Sequence, residues 1–314
     1  MRLLYFLFAL IALSVLSLFV GVKDISFVDM FRWSDEQTMV LTISRIPRTV
    51  ALVLAGVGMS VCGLIMQQMT QNRFVSPTTA GTLDAAKMGI LVSVIFASQS
   101  DNFIRILFAF GFTFLASIIF LKIADRIRYR NIIFIPLVGL MFGGVLNSIT
   151  TFFAYKNNAV QNVNAWMVGD FSGILQGNYE LVYLSIPAVF ITYLYANKFT
   201  VVGMGENFSK NLGLNYRAIL NIGLFCIALT VSVIVLTVGA IPFLGLVIPN
   251  IVSILYGDNL RKTLPITAVF GAIFLLICDI IGRLIIYPFE VPIGMSVGVI
   301  GGIIFLILLM KKRR

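Results

Sequence analysis

The sequence predicts an all-α, polytopic membrane protein that crosses the bilayer about ten times. Of its 314 residues, 59% are hydrophobic and 11% are charged, whereas soluble domains carry about 25% charged residues. The mean hydropathy is +1.01. The apolar stretches are continuous and approach the roughly 20 residues that a membrane-spanning helix needs. This pattern favours helices over the alternating strands of a transmembrane β-barrel.

Ten apolar segments follow one another along the chain, separated by short polar connections. We place them at 3–22, 46–66, 79–97, 103–123, 132–154, 180–197, 217–240, 243–256, 263–286 and 293–310. The first starts like a signal peptide, but no small-x-small cleavage site ends it and further spans follow, so we interpret it as a transmembrane helix. The eighth is short and contains Pro249. A half-helix, or a helix broken around this proline, is expected there.

The positive-inside rule predicts that both termini face the cytoplasm. With the amino terminus inside, most Lys and Arg residues fall in inner connections and in the carboxy-terminal tail, whereas acidic residues cluster in outer connections. The net charge of +10 is therefore mainly a signal of topology. It does not indicate a nucleic-acid partner, because such binding would need a soluble basic face that the chain lacks.

The sequence lacks the residues that several classes of chemistry require. The chain contains no histidine, which excludes a histidine base or metal ligand. No phosphate-binding G-x-x-x-x-G-K-S/T motif is present, so the chain does not bind ATP by that route. Cys62, Cys226 and Cys278 lie in apolar runs without metal-ligand spacing, and we interpret them as packing residues. We therefore expect no catalytic, cofactor-binding or metal site in this chain.

Two connections are longer than a turn requires. In the outer connection 155–179, residues 164–171 could form a short amphipathic helix with Trp166 as an interfacial anchor. In the inner connection 198–216, the flanking glycines suggest a short helix outside the membrane. A plain connecting loop is the alternative for the inner segment.

Charged residues inside or beside the spans mark candidate functional positions. Asp84 and Lys87 are three residues apart, and Asp279 and Arg283 are four apart, so each pair shares a helix face and can form an ion pair. Each pair is either structural or part of a transport pathway. A proton relay would use Asp84 and Asp279.

Two arginines, Arg45 and Arg48, precede the second span on the predicted outer side, against the positive-inside tendency. These arginines either lie at a hydrated helix start, where Pro47 is favourable in the first turn, or form a docking point for a soluble partner. The second interpretation is based on the strong pairing of guanidinium groups with carboxylates.

These segments together resemble, in order and over essentially the whole chain, the iron-siderophore and cobalamin ABC permease family. The matching residues are Arg45-Ile46-Pro47-Arg48-Thr49, Gly63-Leu64-Ile65-Met66-Gln67, Asn72, Pro77, Gly81, Gly205-Glu206, Leu212-Gly213, Gly239, Phe243 to Pro249, Leu264-Pro265, Asp279, Arg283 and Pro292-Ile293-Gly294. The run 76–82 is similar to the branch that imports ferric catecholate or mixed-ligand siderophores. The sequence departs from the family pattern at Arg73-Phe74, Asp84 and Asn250.

The resemblance implies a type II ABC importer permease fold, with a single transmembrane domain over residues 1–314 and a cytoplasmic coupling segment at about 203–214. It implies a second, related but non-identical permease, two ATP-binding subunits that hold ATP and Mg, and an extracytoplasmic siderophore-binding protein. The implied roles are binding-protein docking for Arg45, Arg48 and Arg283, seating in the ATPase cleft for Met204, Gly205, Glu206, Leu212 and Gly213, and bordering of the translocation path for Gln67 and Asp84.

The expected function is that of a permease in the cytoplasmic membrane, without enzymatic activity of its own, which imports ferric siderophore by ATP-driven alternating access. One alternative is a proton-coupled secondary transporter that uses Asp84 and Asp279, which would be insensitive to ATP depletion. Another is a structural membrane subunit or an intramembrane enzyme. The enzyme would need a catalytic constellation that the sequence does not contain.

Overall fold

The structure, a computed structural model, describes residues 2–21, 35–96, 101–127 and 133–311. Lys23, Arg32, Arg128, Arg130 and the tail 312–314, which contribute to the predicted charge asymmetry, lie outside the described residues. Within the described ranges the regular structure is helical, apart from an isolated bridge between Ile286 and Phe289.

Thirteen helices follow one another in the described part of the chain. They are α1 (Arg2–Phe19), α2 (Asp35–Met69), α3 (Thr82–Phe96), α4 (Asn102–Arg126), α5 (Phe134–Lys156), α6 (Val160–Trp166), α7 (Glu180–Leu194), α8 (Ala196–Val202), α9 (Glu206–Asn211), α10 (Tyr216–Thr237), α11 (Leu244–Tyr256), α12 (Leu260–Leu284) and α13 (Ile293–Lys311). Each of the ten predicted spans coincides with one of the longer helices, and α6, α8 and α9 are additional short ones. We name the two ends of the bundle by the predicted topology, so that α9 lies at the inner end and the α12–α13 connection at the outer end.

The spans differ in length. Among the described helices, α2, α4, α5, α10, α12 and α13 are long and apolar enough to cross a membrane, whereas α1, α7 and α11 are shorter apolar helices and α3 has 15 residues. Helix α11 has 13 residues. At about 1.5 Å per residue it covers about 20 Å, less than the roughly 30 Å of a hydrocarbon core, so the eighth element is shorter than a full crossing, as predicted.

The proline of the eighth span does not break it, so that part of the prediction is wrong. Pro249 lies inside the continuous helix α11, and the irregular stretch comes before the helix, at 238–243, where Phe243 has a φ of 60°. Because Pro249 has no N–H, the carbonyl of Gly245 four residues earlier loses its helical partner. This carbonyl lies directly against Gly63 of α2, where a Cβ would overlap it.

Helix α2 occupies the centre of the bundle and packs against α10, α11 and α12. It starts earlier than the predicted span, at Asp35, where two acidic residues in the first turn favour a helix start. A π-helical segment at Leu41–Arg45 precedes Pro47. The proline leaves the carbonyl of Ile43 without its helical donor, and the backbone N–H of Gln176 donates to it at 2.9 Å.

The two long connections each contain a short helix. The predicted helix at 164–171 is displaced, because α6 ends at Trp166. The backbone beyond it is held in irregular contacts, in which Asp170 N donates to Val238 O and Gly294 N donates to Gly169 O, each at 2.9 Å. The short inner helix is present as α9, directly after Gly205, whose φ of 108° suits glycine.

Candidate functional site

Arg48 of α2 lies at the outer end between two carboxylates. Its Nη2 is 2.8 Å from Asp279 Oδ1 of α12, and its Nη1 is 2.7 Å from Glu290 Oε2 in the α12–α13 connection. The side chain of Asp279 is 1% exposed and that of Glu290 is 28% exposed. Arg48 therefore joins a buried acid and a half-buried acid that belong to different parts of the chain.

Arg283 forms the predicted pair with Asp279 and also caps α1. Its Nη2 is 2.5 Å from Asp279 Oδ2. The guanidinium also donates to Ser17 O at 3.1 Å, to Val20 O at 2.7 Å and to Ser17 Oγ at 2.6 Å. These carbonyls lie at the carboxy-terminal end of α1, where helix carbonyls lack intrahelical partners and carry partial negative charge.

Arg45 also binds the carboxy-terminal end of α1. Its Nη1 donates to Leu18 O at 2.7 Å, and both Arg45 and Arg283 are less than a tenth exposed. The sequence led us to expect arginines that present their guanidinium groups to a partner. In this structure Arg45 and Arg283 bind carbonyls at the end of α1, whereas Arg48 faces Glu290, an acid with appreciable exposure. The docking assignment of the three remains a prediction.

Asp84 and Lys87 share the face of α3 that packs on α5, but they do not form a direct ion pair with each other in the described structure. Lys87 Nζ donates instead to Asn147 Oδ1 of α5 at 2.8 Å. The carboxylate of Asp84 lies against Gly143, where a Cβ would be 2.6 Å from Asp84 Oδ2. Both charges are thus directed at α5, one helical turn apart.

The predicted coupling segment forms the turn between α8 and α9 and the helix α9. Ser209 Oγ donates to Val201 O and Gly205 O, at 3.1 and 2.8 Å, and holds α9 against the end of α8. Glu206 Oε1 is 2.7 Å from Lys210 Nζ, and this contact lowers the pKa of Glu206. The segment is therefore a short ordered helix rather than a plain loop.

An exposed apolar row runs along this segment. Met204, Phe208 and Leu212 are about half exposed or more. Phe208 and Leu212 are four residues apart, on α9 and at its end, and lie on one side of this helix, whereas Met204 lies in the turn before it. Phe208 was not among the predicted coupling residues, although the spacing of these three residues in the sequence contains the signal. Such a row suits a groove on a partner.

The coupling segment contacts the inner end of α2. A Cβ at Gly203 would meet Gln68 Oε1, and one at Gly205 would lie 3.4 Å from Gln71 Nε2. Beside this contact lies a cavity of about 510 Å³, whose walls include Gln67, Gln68 and Met204. Gln67 is buried, and its Nε2 lies 3.5 Å from Leu246 O of α11, so it bridges two helices while it borders the cavity.

Two departures from the family pattern contact each other at the inner end. Asn250 Nδ2 donates to Arg73 O at 2.8 Å, and Arg73 Nη2 is 2.7 Å from Asp258 Oδ2. Ser253 also donates to Asp258. This network connects the α2–α3 loop to the α11–α12 turn.

The described residues contain no group of three or more His, Cys, Asp or Glu side chains that could hold a metal ion. Cys62, Cys226 and Cys278 are buried free thiols. The candidate functional features of the described residues are the outer arginine cluster, the charges facing α5, the inner network of Arg73, Asn250 and Asp258, and the predicted coupling segment with its cavity.

Comparison with known proteins shows to which family the chain is related. The profile of the FecCD transport family matches residues 9–311. A petrobactin import system permease of Bacillus subtilis (strain 168) is 52% identical over 313 residues, covering 100% of this chain and 99% of that protein. A ferric-anguibactin transport system permease of Vibrio anguillarum is 45% identical, covering 96% of each chain. An inward-facing structure of a metal-chelate type ABC transporter shares the fold, with a TM-score of 0.83, 20% identity and 99% coverage of both chains. The chain therefore belongs to the FecCD transport family, with the fold of the type II ABC importer permeases.

Proposed function

We propose that this chain is the permease subunit of an ATP-driven importer that carries a ferric siderophore across the cytoplasmic membrane. The observation that carries the proposal is the similarity, over the full length, to permeases named for petrobactin and ferric-anguibactin transport. Both termini face the cytoplasm, as the distribution of basic residues predicts. Ferric catecholate or mixed-ligand siderophores are the expected cargo.

The outer end receives the binding protein in this proposal. Arg48 has one partner, Glu290, that is partly exposed. A carboxylate of the extracytoplasmic siderophore-binding protein competes with Glu290 for this guanidinium, and charge-assisted bonds of this kind are strong and directional. Arg45 and Arg283 support the site by fixing α1 beside it.

The inner end receives the two ATP-binding subunits, which hold ATP and Mg and hydrolyse ATP. The apolar row of Met204, Phe208 and Leu212 seats in a groove of the ATPase, with Gly205, Glu206 and Gly213 shaping the segment that carries it. Movement of this segment reaches α2 through the contacts of Gln68 and Gln71. Helix α2 then carries the displacement toward Arg48, so that access alternates between the two sides.

The cargo passes between this chain and a second permease, which we propose to be related but not identical. Gln67 borders the inner cavity, which supports its assignment to the path. Asp84, which lies against Gly143 of α5, is assigned to the path by the family resemblance alone. The coupled ATPase supplies the energy, and the permease itself performs no chemical step.

The geometry gives no support to a proton-coupled secondary transporter. Asp279, one of its two proposed proton carriers, is held between the guanidinium groups of Arg48 and Arg283. Removal of the buried carboxylate charge of Asp279 would leave the guanidinium group of Arg283 without a carboxylate and Arg48 with Glu290 alone.

Transport by the reconstituted complex tests the proposal. Proteoliposomes that contain this chain, a partner permease, the ATP-binding subunits and the binding protein should take up radioactive iron as ferric siderophore only when ATP is supplied. Collapse of the proton gradient should leave this uptake unchanged. Uptake by the isolated chain that follows a proton gradient without ATP would overturn the proposal.

A further inference from the structure

One face of α5 is polar at the middle of a membrane-spanning helix. Gly144, Asn147, Ser148 and Thr151 follow one another at the three- and four-residue spacing of a single helix face, and all four are exposed. A Cβ at Gly144 would meet no other atom within 4 Å. We call these four residues the polar stripe.

Exposed faces of other spans have a different composition. On α13 the exposed described side chains are Met295, Val299, Ile303, Leu306, Ile307, Leu309 and Met310, which suit lipid or an apolar protein surface. In the polar stripe, Ser148 and Thr151 bond to carbonyls of their own helix, but Asn147 keeps an exposed amide. An amide that faces hydrocarbon is costly, so this face requires water or protein beside it.

A buried cation lies directly behind the polar stripe. Lys87 is 8% exposed, and its Nζ donates to Asn147 Oδ1 at 2.8 Å. An ammonium group has three donors, and Asn147 is the one acceptor that the described residues place within hydrogen-bond distance. Asp84 lies behind Gly143, one turn away and on the buried side of α5. Lys87, rather than Asp84, is therefore the charged residue that lies beside the exposed polar stripe.

We propose that the polar stripe lines the water-filled translocation path and that Lys87, acting through Asn147, gives this path its preference for anionic cargo. The inference rests on the proposed function and specifies its cargo as a negatively charged ferric chelate, such as one with catecholate or carboxylate ligands. A fixed cation in a low-dielectric wall raises the local concentration of anions. Lys87 is in this respect a specificity-determining residue, which acts on the cargo by its field.

Thiol labelling in the assembled complex tests whether water reaches the polar stripe and whether Lys87 gives it a preference for anions. In Ser148→Cys, the new thiol should react with both an anionic and a cationic thiosulfonate reagent of similar size, because water reaches the stripe. The native cysteines provide a low background, since all three are buried. Val299→Cys on α13 is the matched control and should react with neither reagent.

The ratio of anionic to cationic reaction rates at position 148 measures the field of Lys87. Lys87→Met should lower this ratio by at least about threefold, and Lys87→Arg should keep it near the original value. If Lys87→Met prevents assembly, Asn147→Asp offers a second route, because the added carboxylate neutralises Lys87 and should lower the ratio as well.

Two results would overturn the inference. An unreactive thiol at position 148 would place the stripe in lipid or in a dry subunit contact, and an unchanged ratio in Lys87→Met would remove the charge effect. Iron uptake measured on the same proteoliposomes separates this inference from the proposed function. Normal uptake with an unreactive Ser148→Cys thiol refutes only the path, whereas charge-dependent labelling without ferric siderophore uptake refutes the importer.

Discussion

Arg48 of α2 and Asp279 of α12 are joined by an ion pair of 2.8 Å across 231 positions of the sequence. Asp279 also binds Arg283, which in turn binds the last carbonyls of α1. Three helices are therefore connected through one buried carboxylate at the outer end. A buried charge that loses its partner is strongly destabilising, and the first prediction follows from this arrangement.

Asp279→Asn should destabilise the protein by about 3–5 kcal/mol, because the amide keeps the shape but leaves the buried guanidinium group of Arg283 without a carboxylate and Arg48 with Glu290 alone. Unfolding of the purified permease in mixed micelles measures the change. Glu290→Gln is the matched control and should cost less than about 1 kcal/mol, since Glu290 is partly exposed and, among the described residues, forms an ion pair with Arg48 alone. Equal losses for the two variants would contradict the central role of Asp279.

Arg48→Gln and Arg45→Gln should have opposite consequences. Loss of Arg48 should weaken binding of the siderophore-binding protein by at least about tenfold, because truncation of a docking arginine typically costs more than about 1.4 kcal/mol. Loss of Arg45 should lower the stability by about 1–3 kcal/mol, since the α1 carbonyl loses a charged donor, and should leave the binding affinity unchanged. Surface plasmon resonance on nanodiscs and an unfolding curve give the two values. Reduced affinity for the siderophore-binding protein in a fully stable Arg45→Gln protein would show that Arg45 belongs to the docking surface.

Local spacing was sufficient for some of these contacts and insufficient for others. Asp279 and Arg283 pair as predicted because residues four apart on a helix are neighbours wherever the helix lies. Lys87 lies three residues from Asp84, yet it binds Asn147 of α5, a choice that depends on how two helices pack. The burial of Arg45 likewise depends on the carbonyls of α1, which no local pattern reveals.

The positions of the spans followed from composition, because about 20 apolar residues are needed wherever a helix crosses the bilayer. Composition did not predict that Pro249 would lie inside a continuous helix, because this depends on the packing of α11 against α2. In the coupling segment, the exposed side chain of Phe208 was readable from the spacing of Met204, Phe208 and Leu212. The groove that we propose to receive it would belong to another subunit, so this sequence does not reveal it.

Phe208→Glu should abolish coupling to the ATP-binding subunits, because a charge replaces the central side chain of the exposed apolar row. Co-purification of the ATPase with the permease should fall at least about tenfold, with membrane insertion intact. Asn207→Glu adds the same charge on the same helix about 100° away, and it should leave the complex assembled. Equal losses in both variants would show that charge at this end, rather than the apolar row, decides the assembly.

Arg73 and Asp258 should contribute little to stability despite their short contact. Their side chains are 46% and 57% exposed, and exposed pairs are typically worth less than about 1 kcal/mol. A double-mutant cycle with Arg73→Met and Asp258→Asn measures the coupling in the unfolding assay. A coupling energy well above about 1 kcal/mol would show that the inner network of Arg73, Asn250 and Asp258 is a structural clamp.

Gly63→Ala should destabilise the crossing of α2 and α11 by about 1–3 kcal/mol, because the added methyl group overlaps the Gly245 carbonyl and the backbones must separate. Gly111→Ala in α4 is the control, since a Cβ there would meet no atom within 4 Å. In the control, alanine should be neutral or slightly stabilising, as it is in helix interiors. Unfolding curves of the two variants against the unmodified chain decide the matter. If both changes were neutral, α11 would have to be free to move away from α2. A loosely packed α2 could not transmit movement of the coupling segment to Arg48, which would contradict the proposed mechanism.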